Sequence, residues 1–135
     1  MKIAFGTDDV TPVTREIVGS LKDLGHEVDI YGDGLRWADV GLAVASAVAG
    51  GQADAGIVLC FTGTGVSIAA NKVPGVRAAL CSDPETARDA RRWNDANVLA
   101  LALRNLAVDT GLDIVDAFLS GSPDGTEADQ IAQLP

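Results

Sequence analysis

With 135 residues, the chain has the length of a single domain, which excludes a second one of ordinary size. Hydrophobic residues make up 47% of it and aromatic residues only 4%, a supply of small aliphatic side chains that suits helices packed closely on a sheet. A formal net charge of -9 and a pI near 4.3 exclude a sequence-independent hold on nucleic acid or on an anionic membrane, because both need a basic surface.

Residues 2–5 read as a buried first strand and not as a signal peptide. No apolar run reaches the ~20 residues that span a bilayer, so a cytoplasmic protein is expected. Residues 13–24 place Val13, Ile17, Val18, Leu21 and Leu24 at helical spacing before Gly25 stops them. A second strand spans 27–31, and an Ala/Val-rich helix over 38–49 is closed by Gly50-Gly51. A third strand, 55–60, runs into a glycine-rich turn and a helix-forming stretch, 66–72. The fourth strand, 77–81, precedes a helix over 84–92 that starts after Ser82-Asp83 with Pro84 close behind. A fifth strand, 98–103, leads to a helix over 109–119, and 121–135 is a polar, acidic tail or a weak last helix.

Strands that are apolar throughout and alternate with helices predict an α/β fold: a Rossmann-like, doubly wound three-layer sandwich on a five-stranded parallel sheet, one domain over 1–135. Ligands of such folds bind at the carboxyl edge of the sheet. The segments of interest are therefore 6–12, 32–37, 61–65, 82–84 and the Asn94-Asp95 region.

Within 61–65, Phe61-Thr62-Gly63-Thr64-Gly65 joins a strand to a helix that begins near Val66-Ser67. This arrangement aims backbone N–H groups and the positive end of a helix into one small volume, where an anion or an enediolate oxygen is stabilised. A tight turn without a ligand is the plain alternative. No Gly-Lys-Ser/Thr follows, which excludes a Walker loop, and the spacing fails the dinucleotide fingerprint. Cys60, at the end of the strand, is either an inert buried thiol or a base activated by that helix terminus. Cys81 reads as inert, and without CxxC spacing or a histidine companion neither a redox pair nor a metal site is expected. Asp8-Asp9 places two carboxylates at the same edge, suited to acid/base work or to a sugar hydroxyl, or simply to a helix cap. Asn94 offers a polyol a hydrogen bond or forms an ordinary turn.

The chain resembles the ribose-5-phosphate isomerase type B and galactose-6-phosphate isomerase family. The likeness runs through Lys2-Ile3-Ala4-Phe5-Gly6 with Asp8, Leu24-Gly25-His26-Glu27-Val28, Gly56-Ile57-Val58-Leu59-Cys60, and Thr62-Gly63 with Gly65. It continues in Ser67-Ile68-Ala69-Ala70-Asn71-Lys72-Val73-Pro74-Gly75, Arg77-Ala78-Ala79, Asn94-Asp95-Ala96-Asn97-Val98-Leu99 and Ile114-Val115-Asp116-Ala117-Phe118-Leu119. The resemblance implies aldose–ketose isomerisation through an enediolate with no metal or organic cofactor, in a dimer whose two sites draw on both subunits. It implies Cys60 as the proton-transferring base, Thr62 with Gly63, Thr64, Gly65, Val66 and Ser67 as the enediolate cradle, and Asp8 and Asn94 at sugar oxygens. Arg104 matches a phosphate-binding arginine.

The chain also departs from that family. Asp9 replaces a phosphate-contacting histidine, Trp93 replaces the histidine that helps open the sugar ring, and Phe61 replaces a glycine. The stretch around Gly32-Asp33-Gly34-Leu35-Arg36-Trp37 is shortened, and residues 124–135 hold no Lys or Arg, leaving Arg104 with Arg36 or Arg91 for a phosphate. His26 is expected at the opposite edge of the sheet. These changes predict a divergent isomerase or epimerase, with Asp9 counted among its catalytic residues and Phe61 and Trp93 as pocket walls. Its substrate would be a sugar, sugar phosphate or related polar metabolite other than ordinary ribose 5-phosphate. The alternatives are one subunit of a heteromeric isomerase, completed by a paralogous partner, and a non-catalytic binding or scaffold protein that keeps the fold.

Overall fold

A computed structural model describes every residue from Met1 to Pro135. Five strands alternate with helices: β1 Lys2–Thr7, α1 Pro12–Asp23, β2 Glu27–Asp33, α2 Trp37–Ala49, β3 Ala55–Cys60, α3 Thr64–Asn71, β4 Ala78–Leu80, α4 Pro84–Asn94, β5 Val98–Ala102 and α5 Val108–Ser120. The strands form one sheet in the order β2-β1-β3-β5-β4, and every pair is parallel. This is the predicted three-layer α/β fold.

Period-two alternation along the strands decides which helix meets which face. Ile3, Phe5, Ile57, Leu59, Leu99 and Leu101 point into one cluster with Ile17 and Leu21 of α1, Ala87 and Ala90 of α4, and Ile114 and Phe118 of α5. Their neighbours Ala4, Val58, Cys60, Val98 and Ala100 point the other way, against Val40 and Val44 of α2 and Val66 and Ala70 of α3. Larger side chains thus face the three-helix layer and smaller ones the two-helix layer. Each fully buried Leu or Ile contributes about 1.5–3 kcal/mol. Gly41 lets α2 close on α3, since a β-carbon there would fall 2.7 Å from that of Ala69.

Local chemistry fixes the helix starts. Thr11 and Thr14 form a reciprocal capping box on α1, and Asp83 caps α4 through the Thr86 N–H at 2.7 Å. Helices α2, α3 and α5 start without a side-chain cap, and of these only α3 has a glycine, Gly63, at the N-cap.

Several boundaries moved. β2 continues to Asp33 through a register shift between Phe5 and Gly6, and β4 is only three residues long. Its flanks still bond to neighbours, Arg77 N–H to the Asn97 side chain and Cys81 N–H to the Ala100 carbonyl. The tail contains a four-residue helix, α6 Ala128–Ile131, with no buried residue, held through Arg92–Asp124 at 2.7 Å and a Gly75 N–H bond to the Pro135 carbonyl. No helix is long and apolar enough to cross a membrane.

Candidate active site

The strand order reverses about β1 and β3, and the crevice at such a switch lies outside the carboxyl ends of those strands. Asp8 follows β1 there, and its N–H bonds to the Leu59 carbonyl at 3.2 Å, next to Cys60. Across β3, Leu103 N–H bonds to the Cys60 carbonyl and Arg104 N–H to the Phe61 carbonyl, both at 2.9 Å. Backbone bonds therefore tie the Asp8, Cys60–Phe61 and Leu103–Arg104 segments into one edge.

Cys60 ends β3 as a free thiol, only 4% exposed and packed in the cluster that includes Val66. Gly63 then takes a left-handed conformation, φ 73°, and presses on β5 so closely that a β-carbon would fall 2.9 Å from Ala102 N and Leu101 C. This turn delivers the α3 N-terminus beside Cys60. The Thr62 and Thr64 hydroxyls bond at 2.7 Å, and Thr64 N–H reaches Thr62 Oγ1 at 3.4 Å. The Gly65 and Val66 N–H groups bond to no carbonyl and no side chain. First-turn donors of this kind favour negative charge. Ser67 donates its N–H to the Gly63 carbonyl at 3.2 Å, so its backbone belongs to the helix and not to the open donor set that the sequence suggested.

Burial pushes the Asp8 carboxyl pKa up, and the neighbouring Asp9 adds to the shift. Thr7 hydroxyl bonds the Asp9 carbonyl at 2.7 Å and Asp9 itself is exposed. Beside Asp8 lies a cavity of about 370 Å³ lined by Gly34, Leu35, Arg36, Trp37 and Ala38. The Trp37 ring packs on Gly65, where a β-carbon would come within 2.8 Å of it. Phe61 is exposed, with the Arg104 guanidinium 5.4 Å above its ring. Cys60, Phe61, Thr62, Gly63, Thr64, Gly65, Val66, Asp8, Asp9 and Arg104 thus share one edge.

Trp93 and Asn94 do not join them. They end α4, immediately before β5 begins, and so lie at the amino edge, not at the carboxyl edge where the sequence reading placed Asn94. Gly56 pairs with Val98 and Cys60 with Ala102, so these residues are at least about 13 Å from the Cys60 end of the same chain. Asp95, in a left-handed conformation, ends the helix and faces Arg77 and Arg91; Asn97 braces Arg77 and Gly75. Much of that motif is therefore structural. His26 also sits at the amino edge, with Nδ1 3.2 Å from the N-terminal amine. Trp37 closes the 32–37 segment that was expected at this edge, but sequence reasoning assigned the side chain no role in the site. Its signal was a scarce aromatic closing a carboxyl-edge loop.

Nowhere do three or more His, Cys, Asp or Glu side chains converge as metal ligands would. A larger cavity, about 720 Å³, opens beside β4 and α4 and is lined by Asn71, Arg77, Leu80 and Asn94, with Leu80 also lying against Gly63.

Residues 3–134 match the family described as Ribose/Galactose Isomerase. The chain is 43% identical over 129 residues to ribose-5-phosphate isomerase B of Escherichia coli (strain K12), covering 92% of this chain and 87% of that one. It is 40% identical over 135 residues to galactose-6-phosphate isomerase subunit LacB of Clostridium acetobutylicum, covering 96% and 78%. Identity to the D-erythrulose-4-phosphate isomerase of Pectobacterium atrosepticum is 35% over 131 residues, covering 93% and 86%. Among solved structures, Clostridium thermocellum ribose-5-phosphate isomerase B superposes with a TM-score of 0.94 at 45% identity, covering 98% of this chain and 94% of that one.

Proposed function

The chain belongs to the ribose/galactose isomerase family, and from that premise we propose that it is a cofactor-independent aldose–ketose isomerase acting on a phosphorylated polyhydroxy chain. The observation that carries the reading is the pairing of Cys60 with the uncapped N-terminus of α3, where the Gly65 and Val66 N–H groups are free.

In this mechanism the Cys60 thiolate takes the proton from the carbon next to the carbonyl. The C–H electron pair becomes the carbon–carbon double bond, and the carbonyl pair moves onto its oxygen. Negative charge then develops where the free N–H groups point, which stabilises the enediolate more than the ground state. The thiol returns the proton to the adjacent carbon. A second group must pass the hydroxyl proton between the two oxygens, and Asp8 fits this work because its raised pKa makes it a readier proton donor than an ordinary carboxylate. Arg104 supplies the cation for the phosphate, with Arg36 near Asp8 as a second. The relatives' names span four-, five- and six-carbon substrates, so the family alone leaves chain length open.

Trp93 and Asn94 reach a carboxyl edge only in a second copy of the chain, and the proposal includes a dimer with shared sites. Cys60→Ala should lower turnover about 100-fold or more with the circular dichroism spectrum unchanged; turnover near the parent's would remove Cys60 from the mechanism. Mixed and refolded Cys60→Ala and Asn94→Ala chains, each impaired alone, should recover about a quarter of parental activity through heterodimers with one intact site. No recovery would argue against shared sites.

A further inference from the structure

Resting on that isomerase reading, we infer that the substrate is an open-chain phosphosugar unable to close a furanose ring: a tetrose 4-phosphate and its keto isomer. Isomerisation needs a free carbonyl. An aldopentose 5-phosphate hides its carbonyl in a ring closed through O4. Opening it requires a proton delivered to the ring oxygen and another removed from the anomeric hydroxyl. A side chain that titrates near neutrality, imidazole above all, performs that exchange.

This chain has one histidine, His26. It lies between α1 and β2, at the amino edge of the outermost strand, beside the N-terminal amine. Cys60 and the α3 N-terminus lie at the other edge. Association of identical copies supplies no other imidazole, since each copy carries only His26. If a second copy brings its Asn94 to this cradle, the residue arriving beside it is Trp93. Indole does not exchange a proton in the physiological range, and the group 5.4 Å over that ring is the permanently charged Arg92 guanidinium.

At the carboxyl edge, the thiol of Cys60 is engaged with carbon and the half-buried Asp8 with the transfer between oxygens. Solvent-exposed carboxylates carry almost no proton to donate near neutral pH. The site therefore has the parts for enolisation and lacks a pair for ring opening.

A tetrose 4-phosphate needs no such pair. Its O4 is esterified, a five-membered ring cannot close, and both aldehyde and ketone remain acyclic apart from reversible hydration. The same holds for a 2-ketopentose 5-phosphate, whose O5 is blocked, but not for the aldopentose formed from it. The inference thus predicts a substrate order and a directional asymmetry.

The test uses the purified full chain with erythrulose 4-phosphate, ribulose 5-phosphate and ribose 5-phosphate. Erythrulose 4-phosphate should be isomerised with a kcat/KM about 100-fold or more above that for ribose 5-phosphate, the smaller end of what a positioned acid–base group supplies. With ribose 5-phosphate, the rate should stop rising with enzyme concentration once spontaneous ring opening limits it. With ribulose 5-phosphate it should remain proportional to enzyme. Ribose 5-phosphate turnover above the spontaneous opening rate and proportional to enzyme would overturn the inference while leaving the isomerase reading intact. Failure on all three with turnover of galactose 6-phosphate would likewise overturn the inference alone, and failure on that substrate as well would overturn the isomerase reading with it.

Discussion

Trp37 lies against Gly65: a β-carbon on that glycine would fall 2.8 Å from both Cδ2 and Cε3 of the indole. The contact couples the start of α2 to the first turn of α3, where the free N–H groups are. It joins two elements that are distant in sequence and adjacent only because α2 packs on α3.

Gly65→Ala should displace the indole without unfolding the chain. Trp37 is 47% exposed, so its ring has room to swing away. We expect a stability change within about 1 kcal/mol, a raised KM and a shift in tryptophan fluorescence. Trp37→Ala should raise KM similarly, and the double variant should add little to either single one because both remove the same contact. Additive effects in the cycle would show that the contact does not matter to the substrate.

Gly63→Ala should be far more damaging. The new methyl would meet Leu80 Cδ1 at 2.5 Å and the β5 backbone at 2.9 Å, and the residue would have to hold φ 73°. Backbone cannot swing aside as a ring can. Strain and overpacking together should cost about 2–5 kcal/mol. Gly25→Ala is the control: it shares a positive φ, 89°, but meets nothing within 4 Å, and should cost only about 1–2 kcal/mol. Equal denaturation midpoints for the two variants would refute the close-approach argument.

Phe61 should act through Arg104. The guanidinium rests 5.4 Å from the ring centroid, and the two residues also share a backbone hydrogen bond of 2.9 Å. An exposed cation–π pair is worth about 0.5–1 kcal/mol, so Phe61→Ala should weaken inhibition by inorganic phosphate about two- to fivefold, with kcat little changed. Phe61→Tyr should retain the parent's value. A fall in kcat without change in phosphate inhibition would place Phe61 elsewhere in the mechanism.

The alternation of buried strands and amphipathic helices made the sheet legible, because strands buried on both faces leave continuous apolar runs such as Ala55–Cys60. The Cys60-to-Val66 segment was legible for a related reason: strand end, glycine turn and helix start are contiguous. Asn94 was misplaced because proximity to a strand does not say which end of it is meant, and its position before β5 puts it at the amino edge. Trp37 escaped because its partner, Gly65, lies 28 positions away and is reached only by packing of α2 on α3. The side chains of Asn97 and Asn71 bond the Arg77 and Ala78 backbone where the edge strand β4 begins, a structural role that depends on contacts across the fold.

The tail makes a prediction about acid stability. Hydrogen bonds from Thr126 and from Arg92 hold the Asp124 carboxyl down at about 2, below its ordinary range. A carboxylate with a depressed folded-state pKa stabilises the fold fully above the unfolded value, about 4, and loses that contribution as pH falls toward the folded one. The melting-temperature gap between the parent and Asp124→Asn should therefore be constant from neutrality to pH 5, shrink between about pH 4 and 2, and vanish below that. The gap should be small and reduced by salt, because the groups are exposed. A gap that widened on acidification would mean that Asp124 is not held as the anion. A direct NMR titration of its carboxyl separates that outcome from rearrangement of the tail.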